Sequence, residues 1–131
     1  MKLNLDCVRD ILLTLESENT LFCCHVKNFV HSDSLSSYSE DELLYCCLRL
    51  YEGRYINLSL LEGYTTDSPL EYCIEYVYGL TFTGHQFLES IREPERFKKV
   101  KNICSKVTSG SFSIISSVAS TLLSEQLKTL L

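Results

Sequence analysis

Residues 56–84 read INLSLLEGYTTDSPLEYCIEYVYGLTFTG. Ile56, Leu58 and Leu60 alternate with Asn57 and Ser59, the period-two pattern of a half-buried strand. Gly63 to Pro69 is rich in turn residues. Tyr72, Ile74, Tyr76 and Tyr78 then alternate with Glu71, Cys73 and Glu75, which reads as a return strand. The pattern predicts a hairpin with a loose loop, spanning about 55–79. Leu80-Thr81 ends the second strand, and Thr81 is placed to cap a helix carrying Phe87, Leu88 and Ile91.

Upstream, Leu5, Val8, Ile11, Leu12 and Leu15 recur at helical spacing, with Asn4 as N-cap, so a first amphipathic helix is expected over about 4–17. Leu21 to Val30 is rich in Phe, Val and Cys and predicts a short strand, and His31 to Ser37 a loop. Ser39-Glu40-Asp41-Glu42 is a capping box, in which the Ser39 hydroxyl and the Glu42 carboxylate each satisfy the other's backbone amide. Leu43, Leu44, Cys47, Leu48 and Tyr51 continue that helix, and Gly53 is its expected stop. Downstream, Pro94 opens a helix whose stripe is Phe97, Val100, Ile103, Cys104 and Val107. Gly110 separates it from a last helix carrying Ile115, Val118, Ala119, Leu122 and Leu123.

The bulk numbers narrow the function classes. The 131 residues fit one domain, and 45% apolar content with five glycines and two prolines excludes disorder and collagen-like repeats. A net charge of −5 argues against an indiscriminate polyanion binder. No apolar run follows Met1-Lys2, because Asn4, Asp6, Arg9 and Asp10 interrupt it, so no secretory signal is expected. The longest uncharged stretch, Val107 to Ser124, contains nine Ser or Thr in 18 residues and is a poor candidate for crossing a membrane. A cytoplasmic chain with seven reduced cysteines is the expectation. Cys23, Cys24, His25 and His31 are the only clustered metal-capable side chains, and neighbours on an extended segment point to opposite faces, so no metal or cofactor is expected. Nucleotide, hydrolase-elbow and zinc-protease motifs are absent from the sequence, and no catalytic residue is assigned.

Helix, short strand, capped helix, hairpin and a helix opening Leu80-Thr81-Phe82-Thr83-Gly84 is the order of a winged-helix domain, and that pentapeptide looks like the wing-to-helix junction of many winged-helix regulators. A longer set of residues, MKLNLDCVRDILL at 1–13, YSEDE at 38–42, LTFTGHQFLESIR at 80–92, Phe97 to Lys106 and the serine-containing last helix, resembles the domain-of-unknown-function family numbered twenty-five thirteen. Cys23 to Ser37 and the hairpin loop match least, and Phe82 stands where members often carry tryptophan. The resemblance implies an α-rich α+β fold: a winged-helix-like core over 1–91 and two additional C-terminal helices over 92–131, in one compact domain. It also implies a phage or mobile-element context in a bacterial host. It brings no activity and no catalytic residues.

Charge then separates the candidate surfaces. Residues 1–91 hold 14 acids and five bases, a net of −9. A DNA-reading helix presents Arg, Lys, Asn or Gln to the major groove, whereas the capped helix opens with Glu40, Asp41 and Glu42 and the hairpin adds Glu62, Asp67, Glu71 and Glu75. A solvated, solubilising surface accounts for these seven acids, and the sharper reading makes them the face for a protein partner, such as a host defence or regulatory protein. Tyr64, Tyr72, Tyr76 and Tyr78 offer an aromatic face beside them. Residues 92–131 carry seven bases and three acids, +4. There Arg92, Arg96, Lys98, Lys99, Lys101 and Lys106 form the alternative, a face for duplex DNA or for the acidic half of another copy. Ile115, Val118, Ala119, Leu122 and Leu123 are the expected stripe for self-association or docking.

Overall fold

In the computed structural model, residues 2–17, 23–65, 73–107 and 111–131 are described. Helix α1 spans Leu5–Glu16; Asn4 caps it, its Oδ1 accepting from the amides of Asp6 and Cys7. Its buried stripe is Cys7, Val8, Ile11, Leu12 and Leu15. Strand β1 (Cys23–His25) runs straight into a one-turn helix α2 (Val26–Phe29), which His25 caps through Nδ1. A 3-10 turn at Asp33–Leu35 precedes α3 (Glu40–Glu52), then β2 (Ile56–Leu60) and β3 (Ile74–Leu80). Helices α4 (Phe82–Ile91), α5 (Pro94–Val107) and α6 (Phe112–Leu130) complete the order. Among the described residues the architecture is therefore α+β and helix-rich, with one small three-stranded antiparallel sheet.

The chain divides into two compact units, residues 3–84 and 85–131. In the first, the sheet order is β1-β3-β2, so β3 pairs on both sides. The expected hairpin is present as Ile56–Leu60 against Ile74–Leu80, with Leu58 opposite Val77 and Ser59 opposite Tyr76. Its register slips twice, after Ile56 and after Ser59. The strict alternation expected along β3 is broken with it: Ile74 and Val77, three apart, are the buried positions. Ser59 Oγ accepts the Tyr76 amide at 3.2 Å, satisfying backbone that the irregular ladder leaves over. Cys23 to His25 pairs with Tyr78 to Tyr76, and the His25 ring meets Tyr76 edge-on at 5.4 Å. Helices α1 and α3 pack together, burying Leu43, Leu44, Cys46, Cys47, Leu48 and Leu50 of α3.

Two junctions fix the course of the chain around the hairpin. After α3, the amide of Tyr55 donates to Leu50 O and that of Arg54 to Tyr51 O, the two bonds of a Schellman motif. The helix stops at Gly53 as expected, but Gly53 is the right-handed C-cap (φ −77°) and the left-handed residue is Arg54 (φ 65°). Gly53 is small for another reason: a Cβ on it would lie 2.6 Å from the Tyr55 ring. Before α4, the Thr81 amide donates to Tyr55 O, its hydroxyl donates to Arg54 O at 2.6 Å, and the same Oγ1 accepts the Gly84 amide at 2.9 Å. Gly84 presses on the Tyr55 carbonyl so closely that a Cβ would sit 1.9 Å from the oxygen. The Leu-Thr-x-x-Gly pattern is thus a backbone clamp, in which Thr81 caps α4 and Gly84 admits the strand entry.

The second unit is helical. Glu93 caps α5, its carboxylate accepting from the amides of Glu95 (3.0 Å) and Arg96 (2.8 Å), and Pro94 takes the first helical position. Those two bonds hold the Glu93 carboxyl below the usual range. Helices α5 and α6 pack through Phe97, Val100 and Cys104 on one side and Ile115 and Ala119 on the other. Phe87 meets Phe112 edge-on at 5.9 Å. The expected α5 stripe stops short: Ile103 is 37% and Val107 63% exposed.

Candidate interaction surfaces

Of the acids at the α3 N-terminus, Glu40 and Asp41 are exposed and Glu42 is half-buried. The Ser39 hydroxyl accepts the Glu42 amide at 3.1 Å, as a capping box requires. The Glu42 carboxylate does not complete the box; it accepts from Asn4 Nδ2 at 2.7 Å and so pins the cap of α1 to that of α3. Glu42 therefore works inside the unit, and the outward acids at this end are Glu40 and Asp41. Helix-end amides account for the placement of acids here, and their exposure leaves their outer oxygens to water or to a partner.

The hairpin contributes Glu62, exposed on a turn, and Glu75, half-buried on β3. Asp67, Glu71 and Tyr72 lie outside the described residues. Tyr76 and Tyr78 are half-buried on β3, whereas Tyr64 is 40% exposed on the hairpin turn. The expected aromatic face is thus not a continuous outward surface in the described part; Tyr64 is its outward member.

In the second unit, Lys98, Lys99 and Lys106 are exposed. Lys101 is half-buried with its ammonium 5.0 Å from the Phe97 ring centre, and Arg92 pairs with Glu89 at 3.1 Å. Arg96 departs from expectation. It is buried, and its guanidinium donates to Ser90 O (2.8 Å), Glu89 O (2.9 Å) and Gln126 Oε1 (2.6 Å). A side chain that satisfies the last carbonyls of α4 and ties α6 in place is not a phosphate contact. The sequence pattern groups Arg96 with the lysines of a basic face opposite the stripe. What it missed is that orphan carbonyls at a helix end attract a five-donor fork.

The expected docking stripe also divides. Ile115 and Ala119 are fully buried, and Val118, Leu122 and Leu123 half-buried, because the stripe is already used inside the helical unit. The apolar side chains that α6 leaves outward are Ile114 (41%), Leu127 (50%) and Leu130 (75%). An open cleft of about 420 Å³ runs beside it, lined by Glu93, Glu95, Arg96, Lys99, Glu125 and Gln126 among others.

The thiols lie mainly inside. Cys7 of α1 and Cys46 and Cys47 of α3 are buried together. A hydrogen bond shared with Cys46, and then burial, push the Cys7 thiol up; burial does the same to Cys47. Cys7 and Cys47 are therefore poor nucleophiles, whereas the same shared hydrogen bond draws the Cys46 thiol down. Cys23 is exposed. No group of three or more His, Cys, Asp or Glu among the described residues is placed to hold a metal ion, and no described helix is long and apolar enough to cross a membrane.

Comparison with known proteins returns one relationship. A family model described as "Hypothetical protein (DUF2513)" matches residues 2–111, most of the chain, including both junctions around the hairpin and the capped helices α1, α3 and α5. No curated protein and no solved structure matches.

Proposed function

We infer that this chain, which belongs to the DUF2513 family, is a non-enzymatic phage or mobile-element accessory protein that acts by binding another protein. The observation that carries this reading is the sign of the charge at the α3 N-terminus, where Glu40 and Asp41 face outward. The element order α1-β1-α2-α3-β2-β3 and the central position of β3 support a winged-helix-like core. In that core α3 occupies the place of the helix that reads DNA. Two carboxylates at its leading end would meet each phosphate with repulsion. A basic surface on a host defence or regulatory protein is the complementary partner, since opposite charge speeds encounter and rejects wrong partners.

Lys98, Lys99 and Lys106 favour a second reading, a DNA-binding regulator that uses α5 for phosphate contacts, now without Arg96. Immobilised protein exposed to bacterial host lysate tests the first. The wild-type chain should retain a host protein, and Glu40→Lys with Asp41→Lys should lose it while keeping its helical spectrum. Retention that survives the double reversal, or no retention by the wild-type chain, would overturn the acidic-face reading.

A further inference from the structure

One exposed face of α5, whose Lys99 edge borders the cleft beside α6, mixes cations with apolar side chains. Lys99, Ile103, Lys106 and Val107 stand at i, i+4, i+7 and i+8, so they share one side of the helix. Lys99 and Lys106 are exposed, Ile103 is 37% and Val107 63% exposed. Cations alone would suit a polyanion. Branched apolar side chains between them suit instead an acidic protein surface that also offers an apolar group, because burying Ile and Val adds affinity only against apolar atoms.

Such a surface exists on the chain itself. The Tyr64 amide donates to Leu61 O at 3.0 Å, closing a turn whose third residue, Gly63, is left-handed at φ 86°. This turn holds Glu62 and Tyr64 outward in a set geometry, and no helix end accounts for the carboxylate of Glu62. The charge of the whole chain is divided the same way. Residues 1–84 carry 13 acids against five bases, −8, and residues 85–131 seven bases against four acids, +3.

We propose that two copies of this chain form a reciprocal dimer, in which the Lys99–Ile103–Lys106–Val107 face of each seats on the Glu62–Tyr64 turn of the other. Reciprocity closes the assembly under two-fold symmetry, where a one-way contact would propagate into filaments. It also gives two contacts per dimer, so each supplies about half of the roughly 800 Å² per partner that a stable interface uses. Tyr64 is the aromatic anchor, and the lysines flanking Ile103 fix the register against Glu62.

Sedimentation velocity of the full chain at tens of micromolar tests this. At about 50 mM salt the expected mass is twice the 15.0 kDa of the chain, falling to the single-chain mass at about 500 mM, where screening is strong. Lys99→Glu with Lys106→Glu should be monomeric at low salt, and so should Glu62→Lys. Mixed together, these two variants should form a heterodimer, because each then meets an opposite charge at both contacts. The mixing result also shows that both variants are folded. A wild-type monomer at low salt, open-ended aggregates, a dimer that survives Lys99→Glu with Lys106→Glu, or a mixture that stays monomeric would each overturn the proposal.

Discussion

Arg54 holds φ at 65° so that the chain can leave α3 and enter β2. A Cβ in that region is crowded by the backbone carbonyl, at a cost of about 1 kcal/mol that glycine does not bear. The Arg54 carbonyl is nevertheless in use, as acceptor for the Thr81 hydroxyl, and that bond needs no side chain at 54. Arg54→Gly is therefore expected to raise unfolding stability by about 1 kcal/mol in a denaturant titration, less the added entropy of the unfolded chain. Its neighbour Gly53 ends α3 where the sequence placed the stop. What the sequence does not reveal is that Arg54 takes the left-handed conformation, and that Gly53 is kept small by the Tyr55 ring, two residues away. Arg96 counts with the basic face in the sequence, and its internal role is hidden for a related reason. Its partners, Glu89 O, Ser90 O and Gln126 Oε1, come from two other helices.

At the scale of elements, caps were the most legible feature. Asn4 and Ser39 lie where their side chains satisfy orphan amides, and the starts of α1 and α3 follow. The hairpin was legible from its period, but the break in its alternation was not, because a slip in register depends on the partner strand. Of the acids, Glu40, Asp41 and Glu62 are exposed, whereas Glu42 is tied to Asn4. That tie is measurable. Asparagine and aspartate are equivalent N-caps in ordinary helices, so Asn4→Asp should be nearly neutral if capping were all. Here the substitution removes the Nδ2 donor and sets two carboxylates together, and a loss of roughly 1–2 kcal/mol is expected by thermal or denaturant unfolding.

The cap of α5 gives a pH dependence of its own. Two backbone amides hold the Glu93 carboxyl below its usual value, so its folded pKa lies beneath its unfolded one of about 4.3. A depressed carboxyl contributes stability that is present above the unfolded pKa and is lost as pH falls through the folded one. The melting temperature of the wild-type chain should therefore drop between about pH 5 and pH 3 by more than that of Glu93→Gln, whose amide oxygen still accepts but does not titrate. Equal slopes for the two would remove Glu93 from the acid response.

At the scale of the whole molecule, charge rather than fold carries the functional reading. The leading end of α3 presents the exposed carboxylates Glu40 and Asp41, whereas the exposed lysines Lys98, Lys99 and Lys106 cluster on α5, where Ile103 and Val107 accompany them. Element order was open to inspection in the sequence, as was the division of charge. The use of Ile115 and Ala119 inside the helical unit was not, since a terminal amphipathic helix looks the same whether its stripe is covered by its own chain or by another. The central claim, that the acidic α3 end faces protein and not phosphate, is tested most directly by titrating labelled duplex DNA with the wild-type chain and following anisotropy at about 50 mM salt, where phosphate contacts are strongest. The account predicts no saturable binding up to tens of micromolar protein. Saturable binding whose affinity falls steeply as salt is raised would contradict it.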